Sequence, residues 1–314
     1  MPSKPNNTKT TAVRQWVDSN AAPEAADNSQ AVAWVRVLPF LLMHLACLLV
    51  FVVGWSPIAL WTALFSYLLR MFAITAFYHR YFSHKAFKTG RTCQFLFALL
   101  GATATQRGPL WWAAHHRRHH RFSDGEKDVH SPRHGLIWSH MGWFLSARHF
   151  TTPIERVRDL AKFPELRWLD RFDSVIPLLY AASLWGLGRL LEIVCPALHT
   201  NGWQMLIWGY FVASVVLIHC TLLVNSLAHR FGGRRFDTGD DSRNNVVLAL
   251  ITLGEGWHNN HHHYPVSARQ GFYWWEIDIS YYLLRLLAAL GLIWDLQEVP
   301  PDRLASKRLQ RTSA

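Results

Sequence analysis

Apolar positions fall in four long runs, and polar, histidine-bearing stretches separate them. From Val37 to Leu69 there is no Asp, Glu, Lys or Arg, and Gly54-Trp55-Ser56-Pro57 interrupts the run as a turn. Crossing the hydrocarbon core takes ~20 helical residues. Two helices therefore have to extend past Arg36 and Arg70, and the pattern predicts a hairpin over 33–53 and 57–77, with His79 at the end of the second helix. Residues 92–106 are apolar but too short to span with margin, and predict a buried or re-entrant segment. A third span is expected at 174–191, with Arg189 and Glu192 near its far end. A fourth is expected at 203–224, after a short outer loop from Cys195-Pro196 to Asn201-Gly202; it delivers Asn225 and His229. Residues 272–294 mix apolar and acidic side chains (Trp274, Trp275, Glu276, Asp278) and predict an amphipathic helix lying on the membrane.

Residues 1–30 lack apolar periodicity and read as a disordered tail; no apolar core or cleavage pattern follows their basic residues, so they are not a signal peptide. Residues 296–314 read as a basic tail. The expected fold is an all-α integral membrane protein. Its domain covers 31–295, with four transmembrane helices in two hairpins and a helical cap built from 78–173 and 230–295. Four spans place both termini and the cap on one side. Nearly every Lys and Arg lies there, with Arg189 the exception, which makes that side cytoplasmic.

Composition changes the picture little. The chain has 314 residues, enough for one or two domains, and 50% are hydrophobic. The net charge of +11 invites a nucleic-acid partner, but the basic residues flank apolar spans instead of forming a separate basic domain; anionic lipid headgroups or an acidic redox partner fit better. The four cysteines (Cys47, Cys93, Cys195, Cys220) lie in apolar surroundings and read as buried side chains. They form no C-x-x-C pair, so the sequence offers no disulfide framework, thiolate zinc site or iron–sulfur cluster. The 16 tryptophans are first of all an interfacial belt.

The chemistry lies in the histidines. In His258-Asn259-Asn260-His261-His262 the imidazoles stand at i, i+3 and i+4 and share one helix face. His116, His119 and His120 repeat the spacing. His79 and His84 are five apart, about 140° on an α-helix, so the helix should end or turn between them if both serve one centre. Asn225 and His229 are four apart. Nine imidazoles exceed the needs of one ion; two ions with four or five each fit better. His44 and His219, alone in apolar spans, read as packed or hydrogen-bonded side chains. His134, His140, His149 and His199 read as surface, loop or supporting residues. His115 and His263 break the shared faces and are left out. The bland reading is a surface tract that binds zinc adventitiously, which two copies of one spacing on one membrane side disfavour. Spacing does not separate iron from zinc. A paired centre at a membrane face argues for redox chemistry on an apolar substrate.

H79-RYFS-H84, H116-RR-HH120, N225-SLA-H229 and G254-EGW-HNN-HH262-HYP resemble the histidine boxes of the membrane fatty acyl desaturases, closest to the stearoyl-CoA Δ9 group and its bacterial relatives. The resemblance runs from about Val35 to Trp275 and includes Ser123-Asp124, Asp128-Val129-His130, Gly135 to His140 and Met141-Gly142-Trp143. It implies two Fe2+ ions, with zinc as a substitute in purified protein. One ion would take His79, His84, His116, His120 and His261. The other would take His119, His229, His258 and His262, with Asn225 acting through a water. It also implies an acyl chain in a kinked tunnel and a cis double bond formed with O2 and two electrons. The electrons would come from a separate donor: a ferredoxin or rubredoxin with its reductase, or a cytochrome b5. A bacterial inner membrane, with the site and both termini facing the cytoplasm, is the implied setting. Ligating imidazoles usually donate their other N–H to a carboxylate or carbonyl. Glu255, Asp124 and Asp128 are the expected acceptors, with Glu126, Asp240 and Asp241 also close enough in sequence. Trp111, Trp112, Trp143, Arg117 and Arg118 are the expected substrate contacts. Where the animal acyl-CoA enzymes carry an Arg-Asp pair, this chain has Ala114-His115, which leaves acyl-CoA, acyl carrier protein and phospholipid open as carriers. A hydroxylase using the same boxes, or a non-catalytic zinc protein, is the competing reading.

Overall fold

The computed structural model describes residues 14–21 and 31–309. Ten helices carry the architecture: α1 (Trp34–Val53), α2 (Pro57–Ser83), α3 (Arg91–Ala102), α4 (Pro109–Phe122), α5 (Pro164–Arg171), α6 (Val175–Val194), α7 (Gly202–Leu227), α8 (Val246–Ile251), α9 (His258–His263) and α10 (Ile279–Ala289). Of these α1, α2, α6 and α7 are long and apolar enough to cross a membrane, and the chain is an all-α membrane protein. The remaining helices form a cap at the ends of α2 and α7. A short antiparallel pair, β1 (Lys88–Thr89) with β2 (Ile293–Trp294), ties its outer edge.

Local chemistry sets the turns. Gly54 has φ +65°, a conformation side chains resist, and the Ser56 hydroxyl then accepts from the Ala59 N–H with Pro57 opening α2. Asn201 caps α7 in the same way by accepting from the Gln204 N–H. Lipid gives apolar helices no drive to associate, so small residues and interhelical hydrogen bonds do that work. A Cβ on Gly188 of α6 would lie 2.6 Å from the Asn201 carbonyl oxygen, and one on Gly209 of α7 would lie 2.9 Å from Thr62 of α2. Ser66 of α2 donates to the Gly209 carbonyl at 2.7 Å and accepts from the Tyr180 hydroxyl at 2.8 Å.

The segment expected at 92–106 is helix α3, with one side packed on α2: Phe97 stacks on Phe77 at 3.9 Å. The helix expected over 272–294 forms only at α10. Glu276 and Asp278 precede it, fully buried: Asp278 accepts from Arg80 at 2.9 Å and Glu276 from Asn260 at 2.8 Å. Two carboxylates committed to buried donors leave the helix no polar face there. Cys195 is exposed at the end of α6, not buried. The expected tail at 1–30 lies outside the described residues except for 14–21, where Asp18 accepts from Arg171 at 2.9 and 2.8 Å. The expected tail at 296–314 folds back as far as it is described: Gln297 donates its N–H to the Ala86 carbonyl at 2.8 Å, and Arg308 bridges to Phe236.

Candidate metal centre

The ends of α2 and α4, the turn after α7 and the short helix α9 deliver the nine histidines. At the end of α2 the backbone widens into a π-helical stretch, Ala73–Ser83. The His84 N–H there donates to the His79 carbonyl at 3.2 Å, five residues back. The wider turn brings both rings to one side, 4.9 Å apart, where an α-helix would separate them. The helix thus ends between them, at Ser83, as the sequence spacing called for, after widening into the π-helical stretch. Helix α4 begins at Pro109, and the buried Asp170 carboxylate accepts from the Trp111 N–H at 2.7 Å, holding the start of the helix that carries His116, His119 and His120. On α9 the histidines face inward, while Asn259 and Asn260, both fully buried, dock the other side. Asn259 accepts from the Arg235 and Phe236 N–H groups at 2.7 and 2.8 Å. Asn260 donates to the Gln270 carbonyl and Glu276 at 2.9 and 2.8 Å.

Two nitrogen clusters result. His79, His84, His116, His120 and His261 form one; His119, His229, His258 and His262 form the other; within each, one nitrogen per ring lies within 4.8 Å of all the rest. The neighbours His119 and His120 part between the clusters, as do His261 and His262. Asn225 is outside both nitrogen sets and lines the adjoining cavity. His115 and His263 lie outside as well: His115 is buried beside Trp111, and His263 stacks on Phe236.

Carboxylates fix the proton on the outer nitrogens. Nδ1 of His79 meets Glu255 at 2.5 Å, that of His229 meets Asp124 at 2.7 Å, that of His119 meets Asp128 at 3.0 Å and that of His262 meets Asp240 at 2.6 Å. A carboxylate only accepts, so each Nδ1 carries the hydrogen and each Nε2 keeps its lone pair. For His119 and His262 both outer nitrogens are so engaged, and two bare Nε2 lone pairs face each other at 3.4 Å. Such an arrangement repels unless a cation lies between the nitrogens or His119, beside the Asp128 carboxylate, takes a second proton. The donor set therefore fits a pair of transition-metal ions, one per cluster. Burial and neighbouring imidazoles push His84, His116, His120, His258 and His261 well below the ordinary histidine range, and His262 down to about 4. They are neutral, the form that ligates. Burial works against charge on Asp124, Asp128 and Asp240, yet their histidines and nearby donors hold all three below the usual carboxylate range.

An apolar cavity of ≈ 700 Å³ adjoins the first cluster at His116. Phe40 and Met43 of α1, Pro177 and Leu178 of α6 and Leu222 of α7 line it, as do Trp111, Trp112 and Trp143. Arg117 and Arg118 do not line it. Arg117 pairs with Asp159 at 2.7 Å and donates to the Phe82 and Ser83 carbonyls, clamping the turn before His84; Arg118 donates to the Lys127 carbonyl. Both were expected at the substrate; with a further bond to the Arg156 carbonyl at 3.0 Å, five hydrogen bonds leave the Arg117 guanidinium no N–H to offer.

Sequence reasoning missed Arg80 and Gln270. Arg80 is fully buried and donates to Glu255 at 3.1 Å, Asp278 at 2.9 Å and the Ala268 carbonyl at 2.7 Å, so it holds the carboxylate that holds His79. An Arg inside a buried histidine box was the available signal, since it demands acids. Gln270 donates to Glu255 at 3.1 Å, and nothing in its sequence setting marks it. Asp240 completes the set of four carboxylates, while Asp241 instead pairs with Arg133 and Glu126 is exposed.

Comparison with known proteins agrees with this geometry. The family model described as fatty acid desaturase matches residues 53–298. An sn-2 palmitoyl-lipid 9-desaturase from Nostoc sp. (strain 36) is 37% identical over 287 residues, covering 90% of this chain and 95% of its own. An sn-1 stearoyl-lipid 9-desaturase from Anabaena variabilis is 36% identical over 273 residues, covering 85% of this chain and 95% of its own. An acyl-CoA 5-desaturase from Anemone leveillei is 37% identical over 290 residues, covering 88% of this chain and 85% of its own. With its paired histidine clusters beside an apolar cavity, the chain belongs to the fatty acid desaturase family.

Proposed function

We propose that the two histidine clusters each hold one iron, with Asn225 reaching the second through a water, and that this acyl desaturase places a cis double bond at C9 of a saturated chain carried by a membrane lipid. The observation that carries the metal assignment is the convergence of nine imidazole nitrogens into two close clusters, in which the Nε2 atoms of His119 and His262 face each other at 3.4 Å. When bound, the irons supply reduction of O2 and withdrawal of one hydrogen from each of two adjacent methylenes. Reducing O2 to two waters takes four electrons; the acyl chain yields two, so two more, with two protons, come from outside. The chain has no cysteine cluster of its own, which supports a separate donor such as a ferredoxin, a rubredoxin or a cytochrome b5.

The protein's own part is positional. Glu255, Asp124, Asp128 and Asp240 keep the outer nitrogens protonated and the rings oriented. Trp111, Trp112 and Trp143 exclude water from the methylenes and hold them extended past His116. Two edges of the cavity support a lipid-linked chain over acyl-CoA. Leu42 of α1 is 49% exposed and Leu178 of α6 61% exposed, on surfaces that face lipid, so an acyl tail enters sideways while its headgroup stays at the interface. The names of the two cyanobacterial relatives support the same carrier and the C9 position. An open depression of ≈ 680 Å³ reaches His120 and His262 and carries Arg121 and Lys127 beside Glu126 and Asp240, which gives an electron carrier a polar approach from the cytoplasm. The distribution of Lys and Arg supports that orientation in a bacterial inner membrane.

The test is expression in a host lacking its own desaturase, with gas chromatography of each lipid class and metal analysis of the purified protein. Lipid-linked C9 alkene and two irons per chain are expected. An alcohol product would make the chain a hydroxylase, alkene appearing first in acyl-CoA would move the carrier, and zinc without O2 consumption would remove the catalytic reading.

A further inference from the structure

Three histidines outside the metal clusters form a continuous chain across the wall of the cavity. His44 on α1 meets His219 on α7 through their Nε2 atoms at 2.9 Å. His219 Nδ1 meets His140 Nε2 from the cap at 3.0 Å, and His140 Nδ1 meets the Ser226 hydroxyl at 3.1 Å. At the other end His44 Nδ1 lies 2.7 Å from the Phe40 carbonyl. That carbonyl can only accept, so the His44 proton sits on Nδ1 and His44 Nε2 accepts from His219. His219 Nδ1 then accepts from His140 Nε2–H, which requires the Ser226 hydroxyl to give its one hydrogen to His140 Nδ1 in place of the Leu222 carbonyl, 3.1 Å away. In that arrangement all three rings are neutral and each ring nitrogen is used once.

We propose that His44, His219 and His140 act as a neutral strap that fixes α1 as one wall of the acyl cavity and thereby sets which methylenes stand beside the metal clusters; this rests on the acyl-chain reading of the cavity given above. Helix α1 needs such a strap. Only 11% of its most apolar stretch is buried in the protein, against 50% for α7. In lipid the remaining apolar contacts hold it weakly, and a polar interhelical bond has outsized influence on register. The residues next to the strap are cavity residues: Phe40 and Met43 flank His44, while Ile218 and Leu222 flank His219. A slip of α1 along its axis by one residue, about 1.5 Å, would move both walls past each other by more than one methylene of the substrate.

The experiment compares His44→Phe, His219→Phe and the double variant with the parent in a desaturase-deficient host. Double-bond position and chain length of all products are read together with iron per chain. The parent is expected to give one dominant isomer. Each Phe variant should raise the share of other isomers or chain lengths several-fold at unchanged iron content. The double variant should be no worse than the poorer single one, since both remove the same bond. His219→Gln, which keeps one donor and one acceptor, should narrow the products again. A parent profile in both single variants, additive effects in the double, or a variant that loses iron or fails to insert would overturn the strap as a specificity element. A parent that makes no alkene at all would instead sink the acyl reading on which it rests.

Discussion

Asp240→Asn changes one atom and should unload one metal position. Asp240 Oδ1 accepts from the Thr238 hydroxyl at 2.6 Å, the Ser242 N–H at 3.0 Å and the Ser242 hydroxyl at 2.5 Å; Oδ2 accepts from His262 Nδ1 at 2.6 Å. Three donors on one side require the amide oxygen of the replacement to sit there. Its NH2 group then faces His262, two N–H groups would collide, and the neutral ring must move its proton from Nδ1 to Nε2. The second cluster thereby loses one of its four lone pairs without any change in shape. Removing a partner behind a ligating histidine typically costs about 10–100-fold in metal affinity, or about 1.4–2.8 kcal/mol. The assay is iron retained per chain in purified protein over a graded chelator series, with membrane insertion checked in parallel. One iron should leave at 10–100-fold lower chelator activity, the other at the wild-type point. If both leave at the wild-type point, the tautomer argument is wrong; if both leave early together, the clusters do not load independently.

Other substitutions probe the rest of the site. His261→Ala should abolish alkene formation while the protein still reaches the membrane fraction, because it removes a ligand and leaves all four spans; turnover equal to wild type would break the assignment. Gas chromatography should find more residual product in Asn225→Ala than in His229→Ala, and equal, complete loss would mean direct ligation by Asn225. Burial pushes Asp170 up to about 6 from an ordinary 3.8. The folded protein thus binds this proton more tightly than the unfolded chain, and the group's contribution to stability falls as pH rises from about 4 to 6. Asp170→Asn keeps an acceptor for the Trp111 N–H and should flatten that decline in thermal unfolding measured from pH 4 to 7; an unchanged slope would refute it. Gly256→Ala would bring a Cβ to 2.0 Å from the Ala249 nitrogen, a backbone clash just before α9. Expression with loss of both irons is expected, by several kcal/mol of strain.

The spans were legible because hydropathy over about 20 residues is a one-dimensional property. The inward faces of α4 and α9 were legible for a similar reason: i, i+3 and i+4 fall together on any α-helix. The union of His79 with His84 was legible only in part: the spacing called for an end between them, which falls at Ser83, but not for the π-helical widening before it. Nothing in a local window announces that widening. Long-range pairing was equally hidden. Glu276 and Asp278 look like a solvated helix face until Arg80 and Arg235 are seen to need them, and Arg117 looks free for substrate until Asp159 arrives from 42 residues away. Sequence names the donors and acceptors; which ones meet is decided by the packing of distant segments.

Both nitrogen clusters draw on both hairpins, with His79 to His120 coming from the first half of the chain and His229 to His262 from the second. Once loaded, each ion would be a rivet between polypeptide halves that the Ser66–Gly209 bond, the β1–β2 pair and the Arg80–Asp278 ion pair already hold together. Severing the link between α6 and α7 near Pro196 should then leave two fragments that reassemble more fully in cells supplied with iron than in cells starved of it. Metal supply would govern how much of the enzyme survives, as well as how fast it works.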